Sequence, residues 1–427
     1  MANSCKAPSR RDGTTPAEAD TPTRVLFLLP TLNGGGAERT ALTLIPHLQR
    51  CGLDARIGLL ARGGAFDGEI DAARVLLTRL APEHMGRVFL TRTAPGQMKY
   101  APLPNFGRIL TGIPLVPIQQ LDLIWQFRPH VVLSCTHSMN LAALLSTRAY
   151  GRRRVAWILR EGINTRAAIE YDTTTRLGRA LRSLATRHGY RAPDRVLAIS
   201  HGVADGLVRN FGVPRDLLCV IHNPVEVSRV IRSAQDTDGA SRPVRYIVAC
   251  GRLHRQKGFD LLLRAFARLG AADLTLVLLG EGPERSSLES MGRELGIASR
   301  LVMPGFVANP WPWVARAAAF VLPSRWEGFA SVLVEAMACG TPVVAADCQY
   351  GPREILRDGE AGLLVRAGNT ESLTAAIRQT LTDPAFAREL AVRGRQRALD
   401  FDAPVVARHY ADLVHDTARR VRVERHA

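Results

Sequence analysis

The stretch SRWEGFASVLVEAMACGTPVV, Ser324 to Val344, places two carboxylates, Glu327 and Glu335, eight positions apart in an otherwise apolar run. A buried carboxylate is costly unless it is paired or hydrogen-bonded. Vicinal sugar hydroxyls are suitable partners, because an ionised glutamate only accepts and a ribose or hexose ring offers adjacent donors. Gly328 permits a turn after Glu327, and the pattern predicts a helix from about Ser331 with Glu335 just inside it. A first-turn glutamate also favours the helix dipole with no ligand present. A second constellation lies upstream, in ACGRLHRQKGFDLLLRAF. There Gly251 closes an apolar run, Arg252 and Lys257 follow in the loop, and a helix opens near Asp260. Two cations beside a helix N-terminus suit a diphosphate, whereas either alone reads as a solvated charge. Near the start of the chain, Gly34, Gly35 and Gly36 of NGGGAER let the backbone approach a phosphate or sugar closely. That run is neither a dinucleotide fingerprint nor a Walker motif.

The elements that must position these residues are visible as short apolar runs alternating with segments of helical period. From Arg24 they read RVLFLLP, ARIGLLA, HVVLSC, RVAWIL and RVLAIS, then RYIVACG, LTLVLLG, RLVMPG, AFVLPS and TPVVAAD. Buried β-runs separated by helices predict parallel sheets covered on both faces. Such sheets bind ligands where strand ends lead into helices, and the glycine loop, the two cations and Glu327 all follow predicted strands. The expected organisation is a disordered tail over 1–22, a first doubly wound, Rossmann-like domain over 23–225, and a linker over 226–243. A second such domain over 244–400 and a C-terminal helix over 401–427, strapping the two domains, complete it. At 427 residues two domains are the default in any case.

Composition narrows the class. No apolar run approaches the roughly 20 residues of a spanning helix. The seven cysteines are odd in number and scattered without a C-x-x-C pair, so neither a disulfide framework nor a zinc site is suggested and a reducing, cytoplasmic compartment is expected. The formal net charge of +17 is uneven: between Arg148 and Arg195 twelve arginines stand against four acids, a local balance of +8. Such a patch faces a polyanion or keeps the protein soluble. Within it, RLGRALRSLATRHGY predicts a basic amphipathic helix with Leu177, Leu181 and Leu184 on one face. The expectation is that those leucines pack on a sheet, with contact to anionic lipid headgroups as a secondary role.

The segments GRLHRQKGFDLLLRAF, LVLLGEGPERSSLE, PGFV, LPSRWEGFASVLVEAMACGTPVVAAD and GPREIL resemble the nucleotide-binding half of the retaining GT-B glycosyltransferases of family 4. GGGAER, LAISHGVADGL and VIHNPVEV resemble the acceptor half, so the resemblance covers nearly the whole chain after residue 23. It implies an α/β GT-B fold, two doubly wound Rossmann-like domains facing a central cleft. It implies that Arg252 and Lys257, beside Gly251, hold the donor diphosphate and that Glu335 holds the nucleotide ribose. Glu327 would hold sugar hydroxyls, helped by the amides of Phe329 and Ala330, and Gly35 and Gly36 would close over the donor from the facing domain. His137, after HVVLSC, matches a position the family often uses near the transferred sugar, although a lone histidine is as readily structural. Arg160 and Glu161 are further acceptor-side candidates. One departure is GFA where many members have GFP or GFG, which alters the stiffness of the loop after Glu327.

The implied activity is retaining, metal-independent transfer of a hexosyl or N-acetylhexosaminyl group from a nucleoside-diphosphate sugar, with UDP as the expected nucleotide. The acceptor is expected to be lipid-linked or a polysaccharide, in lipopolysaccharide or exopolysaccharide synthesis. No cofactor and no metal ligand are expected; the Asp236-x-Asp238 pair falls in the linker, off any strand end. The implied partners are the donor, the acceptor and the surface of an anionic membrane, with the enzyme peripheral on its cytoplasmic side. A nucleotide-sugar epimerase on the same scaffold is the alternative enzyme. A nucleic-acid binder is the alternative suggested by charge, but the basic stretch offers only Trp157, Tyr171 and Tyr190 as stacking platforms.

Overall fold

The computed structural model describes residues 22–33, 35–64, 66, 68–80, 115–151, 155–237, 239 and 241–426. The expected tail therefore lies, except for Pro22, outside the described residues, as do Gly34 and Asp238. Thirteen strands form two parallel sheets among the described residues. The first contains β1 (Thr23–Leu29), β2 (Leu53–Leu59), β3 (Val75–Leu77), β4 (Val131–Cys135), β5 (Ala156–Glu161), β6 (Arg195–Ala198) and β7 (Leu218–Val220), in the order β3-β2-β1-β4-β5-β6-β7. The second contains β8 (Tyr246–Cys250), β9 (Thr275–Leu279), β10 (Leu301–Gly305), β11 (Ala319–Leu322), β12 (Val343–Asp347) and β13 (Leu363–Arg366), in the order β10-β9-β8-β11-β12-β13. Central strands are buried on both faces, with Val25 to Leu29 and Ile247 to Ala249 wholly inaccessible, which is why they read as unbroken apolar runs. In both sheets the strand order reverses beside the first strand, between β1 and β4 and between β8 and β11. Those two crevices are where a doubly wound sheet binds its ligand.

Helices cover both sheets. On the first lie α1 (Gly36–Arg50), α2 (Leu115–Phe127), α3 (His137–Tyr150), α4 (Thr165–Asp172), α5 (Arg176–Gly189) and α6 (His201–Phe211). The stretch expected as a linker begins with a helix, α7 (Val227–Ser233), whose Val227 and Val230 are buried. On the second sheet lie α8 (Phe259–Ala267), α9 (Arg285–Glu294), α10 (Trp311–Ala315), α11 (Ser331–Ala338), α12 (Pro352–Ile355), α13 (Thr370–Thr382) and α14 (Pro384–Ala398). The last helix, α15 (Ala403–His426), leaves the second domain and lies on the first. Ala407, Ala411, Val414, Ala418 and Val421 form its apolar stripe against the core of the first sheet. Reciprocal backbone bonds of 2.9 Å, Val225 N to Phe401 O and Ala403 N to Val225 O, pin the crossing point.

One expectation is overturned outright. Helix α5 does form, but Leu177, Leu181 and Leu184 are 66%, 45% and 53% exposed. The basic amphipathic helix turns its leucines to solvent. Its buried contacts come instead from Thr186 and the following Tyr190, which reach inward.

Candidate active site

The strand ends beside the two crossovers carry the residues singled out by type. Gly35 and helix α1 follow β1, and His137 opens α3 immediately after β4. Lys257 follows β8, and Glu327 follows β11. In the second domain Lys257 Nζ donates to Glu327 Oε1 at 2.7 Å, and Ser324 Oγ donates to the same oxygen at 2.7 Å. Small residues make this possible. A Cβ on Gly251 would press on Lys257 Cε at 3.2 Å, and one on Gly258, at φ +65°, would strike the carbonyl of Pro323. The chain therefore turns tightly after Lys257 and lays its side chain along the strand end. Asp260 and Arg325 fasten the same two loops through a bidentate pair with both bonds at 2.7 Å. Burial pushes the Asp260 carboxyl up, but the bonds from Arg325 prevail and hold it below the usual range.

This pairing refines the roles implied for Lys257 and Glu327. They sit side by side, with side chains 16% and 6% exposed. An ammonium has three donors, so Lys257 keeps two for phosphate oxygens while Glu327 Oε2 stays free for hydroxyls. Arg252 is exposed and makes no hydrogen bond or ion pair with the described residues. Phe329 is 2% exposed and packs on His222 and Phe401, so only its backbone amide can serve a ligand. Ala330 precedes α11 at φ +75°, ψ 60°, a conformation glycine adopts freely and proline cannot. No side chain caps α11, which leaves its first amides available to an anion.

Glu335 lies a full turn into α11, not in its first turn, so the helix dipole alone does not account for it. Trp311 Nε1 donates to Glu335 Oε2 at 3.1 Å. Burial pushes the Glu335 carboxyl above its usual range, while the Trp311 bond and the charges of Arg39 and Arg229 pull it back. Arg39 comes from α1 of the facing domain, directly after the glycine loop. A Cβ on Gly35 would meet the folded-back carboxylate of Glu38 at 2.4 Å, a side-chain end that would have to move aside. Gly36 meets nothing within 4 Å and leaves the N-terminus of α1 open.

On the first domain His137 Nδ1 lies 3.0 Å from Tyr190 Oη and 4.0 Å from Glu161 Oε2. Tyr190 donates to Glu161 Oε2, and the amides of Gly162 and Ile163 donate to Glu161 Oε1 at 3.0 and 3.3 Å. Thr136, before His137, is held at φ +77°, strained for a threonine. Arg160 and Glu161, expected on the acceptor side, are both buried, at 1% and 0% exposure. Arg160 is a structural tie: its guanidinium donates to Tyr410 Oη at 3.0 Å, Thr40 Oγ1 at 3.3 Å and Asn223 Oδ1 at 2.5 Å, joining β5, α1 and α15. Of the linker aspartates, Asp236 accepts from Asn309 Nδ2 at 2.9 Å. No group of three or more metal-ligating side chains occurs among the described residues.

The two halves meet at glycines. A Cβ on Gly328, next to Glu327, would lie 2.5 Å from the carbonyl oxygen of Gly162, next to Glu161. Ser200 Oγ donates to Gly328 O at 2.9 Å, and His254 Nε2 pairs with Tyr171 Oη at 2.8 Å, so the domains touch on both sides of Glu327. Motif reading missed Ser324, Tyr190, Trp311, Arg39 and Arg229. Only Ser324, three residues before Glu327, and Arg39, three residues after Gly36, stood close enough to a motif in sequence to be noticed.

Two family profiles match consecutive parts of the chain: Glycosyltransferase Family 4 over residues 34–229 and Glycosyl transferases group 1 over residues 235–397. The chain belongs to these glycosyltransferases. Among relatives of the group is the N-acetylgalactosamine-N,N'-diacetylbacillosaminyl-diphospho-undecaprenol 4-alpha-N-acetylgalactosaminyltransferase of Campylobacter jejuni, 33% identical over 51% of this chain and 59% of that protein. The lipopolysaccharide core biosynthesis glycosyltransferase LpsE of Rhizobium meliloti is 33% identical over 53% of this chain and 65% of its own length. The matches thus span less than two thirds of these relatives. The fold is that of GT-B glycosyltransferases. Anabaena HepE, solved with UDP and glucose, superposes with a TM-score of 0.69 at 20% identity, covering 92% of this chain and 100% of that one. Sucrose-phosphate synthase from Thermosynechococcus elongatus reaches 0.72 at 18% identity, covering 92% and 98%.

Proposed function

We propose that the protein transfers a sugar, with retention, from a UDP-sugar to a lipid-linked or polysaccharide acceptor in cell-envelope glycan synthesis. The observation that carries this reading is the Lys257–Glu327–Ser324 cluster at the β8/β11 crossover, beside the uncapped N-terminus of α11. Arg252, Lys257 and the amides of Phe329 and Ala330 neutralise the diphosphate, Glu335 accepts from the ribose, and Glu327 Oε2 accepts from the transferred sugar. Gly35 and Gly36 close over the donor from the facing domain, and His137 reaches the sugar there. The named acceptors of the relatives, a diphospho-undecaprenol glycan and a lipopolysaccharide core, support the acceptor class, and the UDP complex of HepE supports the nucleotide.

The chemistry follows from charge. As the sugar–phosphate bond breaks, negative charge builds on the leaving diphosphate, and preorganised donors there lower the barrier. Glu327 Oε1 is already committed to Lys257 and Ser324, so it suits binding better than nucleophilic attack, and the acceptor hydroxyl attacks from the face the diphosphate leaves. Two cations and a helix N-terminus supply the charge that a divalent ion supplies elsewhere. A chelator should therefore leave turnover unchanged, and strict dependence on manganese would overturn that part. Mass spectrometry of a nucleotide-sugar panel incubated with protein and cell lipid extract tests the whole reading: UDP release and a product retaining the α-anomer of an α-linked donor support it. Absence of nucleotide release from every donor, or an inverted product, defeats it.

The exposed leucines of α5 support docking on the cytoplasmic face of an anionic membrane. Arg176, Arg179, Arg182 and Arg187 surround them, the adjoining α3 exposes Leu145, and α2, packed on α3, exposes Leu115, Ile118 and Trp125. Bare leucines among arginines suit a lipid surface better than nucleic acid. No described helix is long and apolar enough to cross a membrane.

A further inference from the structure

With Glu161 ionised and His137 neutral, the hydrogen-bond partners of the buried Glu161–Tyr190–His137 chain favour one set of protons. Glu161 Oε1 accepts two amide N–H groups and Oε2 accepts the single hydroxyl proton of Tyr190. Asn140 Nδ2 donates to Tyr190 Oη at 3.4 Å and to the carbonyl of Arg160 at 3.0 Å, so it adds a donor to the phenol and no acceptor. With its proton spent on Glu161, Tyr190 Oη can only accept from His137 Nδ1, 3.0 Å away. Burial, reinforced by the neighbouring Glu161, pushes the phenol well above its usual range and keeps that proton in place. At the other side of the ring, Thr186 Oγ1 lies 3.5 Å from Nε2 but gives its proton to Arg182 O at 2.8 Å. Neutral His137 is thus left with an unused lone pair on Nε2.

We propose that Glu161 and Tyr190 are positioning residues that keep the proton of His137 on Nδ1 and so present Nε2 as an acceptor to a substrate hydroxyl. The proposal rests on the reading that places His137 beside the transferred sugar. It gives a use to a fully buried carboxylate: among the described residues no lysine or arginine nitrogen pairs with Glu161, and its ionisable partner is His137 itself, 4.0 Å away. Its position makes the arrangement sensitive to domain contact, since Gly162, whose amide it holds, is the residue that Gly328 touches.

The test separates this proposal from the reading beneath it. In Glu161→Gln the carboxamide oxygen keeps the two loop amides while its N–H donates to Tyr190, whose proton must then turn to His137 Nδ1. The neutral ring should convert from the Nδ1–H to the Nε2–H tautomer, read from nitrogen-15 shifts of His137 in NMR spectra recorded where the ring is neutral and assigned by loss of the signal in His137→Gln. The kcat should fall at least tenfold with the donor KM moving less than threefold, and Tyr190→Phe should lower kcat similarly while leaving the ring in mixed tautomers. A wild-type spectrum showing Nε2–H, which needs no variant, overturns the proposal, as does a tautomer that Glu161→Gln does not alter. If His137→Ala keeps kcat within threefold of wild type, it is instead the placement of His137 at the substrate that fails.

Discussion

At the scale of single residues, the donor site is a compact charge cluster whose members depend on one another. Lys257 is one of the two cations assigned to the leaving group and also the partner of a nearly buried carboxylate. Lys257→Ala should cost about 2 to 4 kcal/mol of transition-state stabilisation, roughly 30- to 1000-fold in kcat/KM, because charge on the departing diphosphate loses a preorganised donor. Steady-state kinetics with a saturating acceptor checks it, and turnover within threefold of wild type would remove Lys257 from the site. The same variant leaves Glu327 held by Ser324 alone, so its thermal stability should also fall.

At the scale of elements, the site depends on two loops, after β8 and after β11, arriving in register. The Asp260–Arg325 pair joins them, and its stability has a definite pH sign. Arg325 holds the folded Asp260 carboxyl below its ordinary value, so the pair stabilises the fold fully above the unfolded value of about 4 and loses its effect as pH falls through the lower folded value. Asp260→Asn should therefore cost about 1 to 2 kcal/mol at neutral pH, and the gap to wild type should close as pH drops below about 4. Denaturant titrations of both proteins at several pH values measure the gap; one that stays constant into acid would show that the pair contributes nothing through its charge. The loop glycines act at this scale too, since Gly251 and Gly258 give Lys257 its path.

At the scale of the whole molecule, two predictions concern how the domains meet each other and the membrane. Gly328→Ala places a methyl carbon 2.5 Å from the Gly162 carbonyl oxygen, and both neighbours are backbone, so the domains must separate. The expected result is a larger radius of gyration by X-ray scattering and a kcat at least tenfold lower; unchanged scattering would mean that the contact gives way locally. The exposed face of α5 should bind anionic vesicles reversibly, because basic residues contribute about 1 kcal/mol each only within a Debye length of roughly 8 Å. Sedimentation with such vesicles should fade as salt rises and vanish when Arg176, Arg179 and Arg182 are changed together to Glu, while nucleotide-sugar binding persists. A triple variant that still pellets would place the docking surface elsewhere, and pelleting that needs Leu177, Leu181 and Leu184 but not the arginines would make it apolar alone.

What the amino-acid sequence determined by itself was whatever rests on local pattern. Short apolar runs, most of them largely buried, announced ten of the thirteen described strands, and their alternation with helices announced two parallel doubly wound sheets. The strands that escaped notice, β3, β7 and β13, are three or four residues long and lie at sheet edges, where few apolar side chains are needed. Lys257 and Glu327 were legible because each follows a strand, where backbone geometry exposes a side chain to ligand, and Glu335 because it is a carboxylate in an otherwise apolar helix. Tertiary structure decided the partners. That Lys257 and Glu327 share one oxygen-to-nitrogen contact, that Arg160 is a buried tie, and that Tyr190 reaches back to Glu161 depend on residues tens to hundreds of positions apart. The orientation of α5 was decided there as well: an amphipathic period states that a helix has two unlike faces, but only the neighbours it packs against determine which face remains in solvent, and here Thr186 and Tyr190 claimed the interior and left the leucines outside.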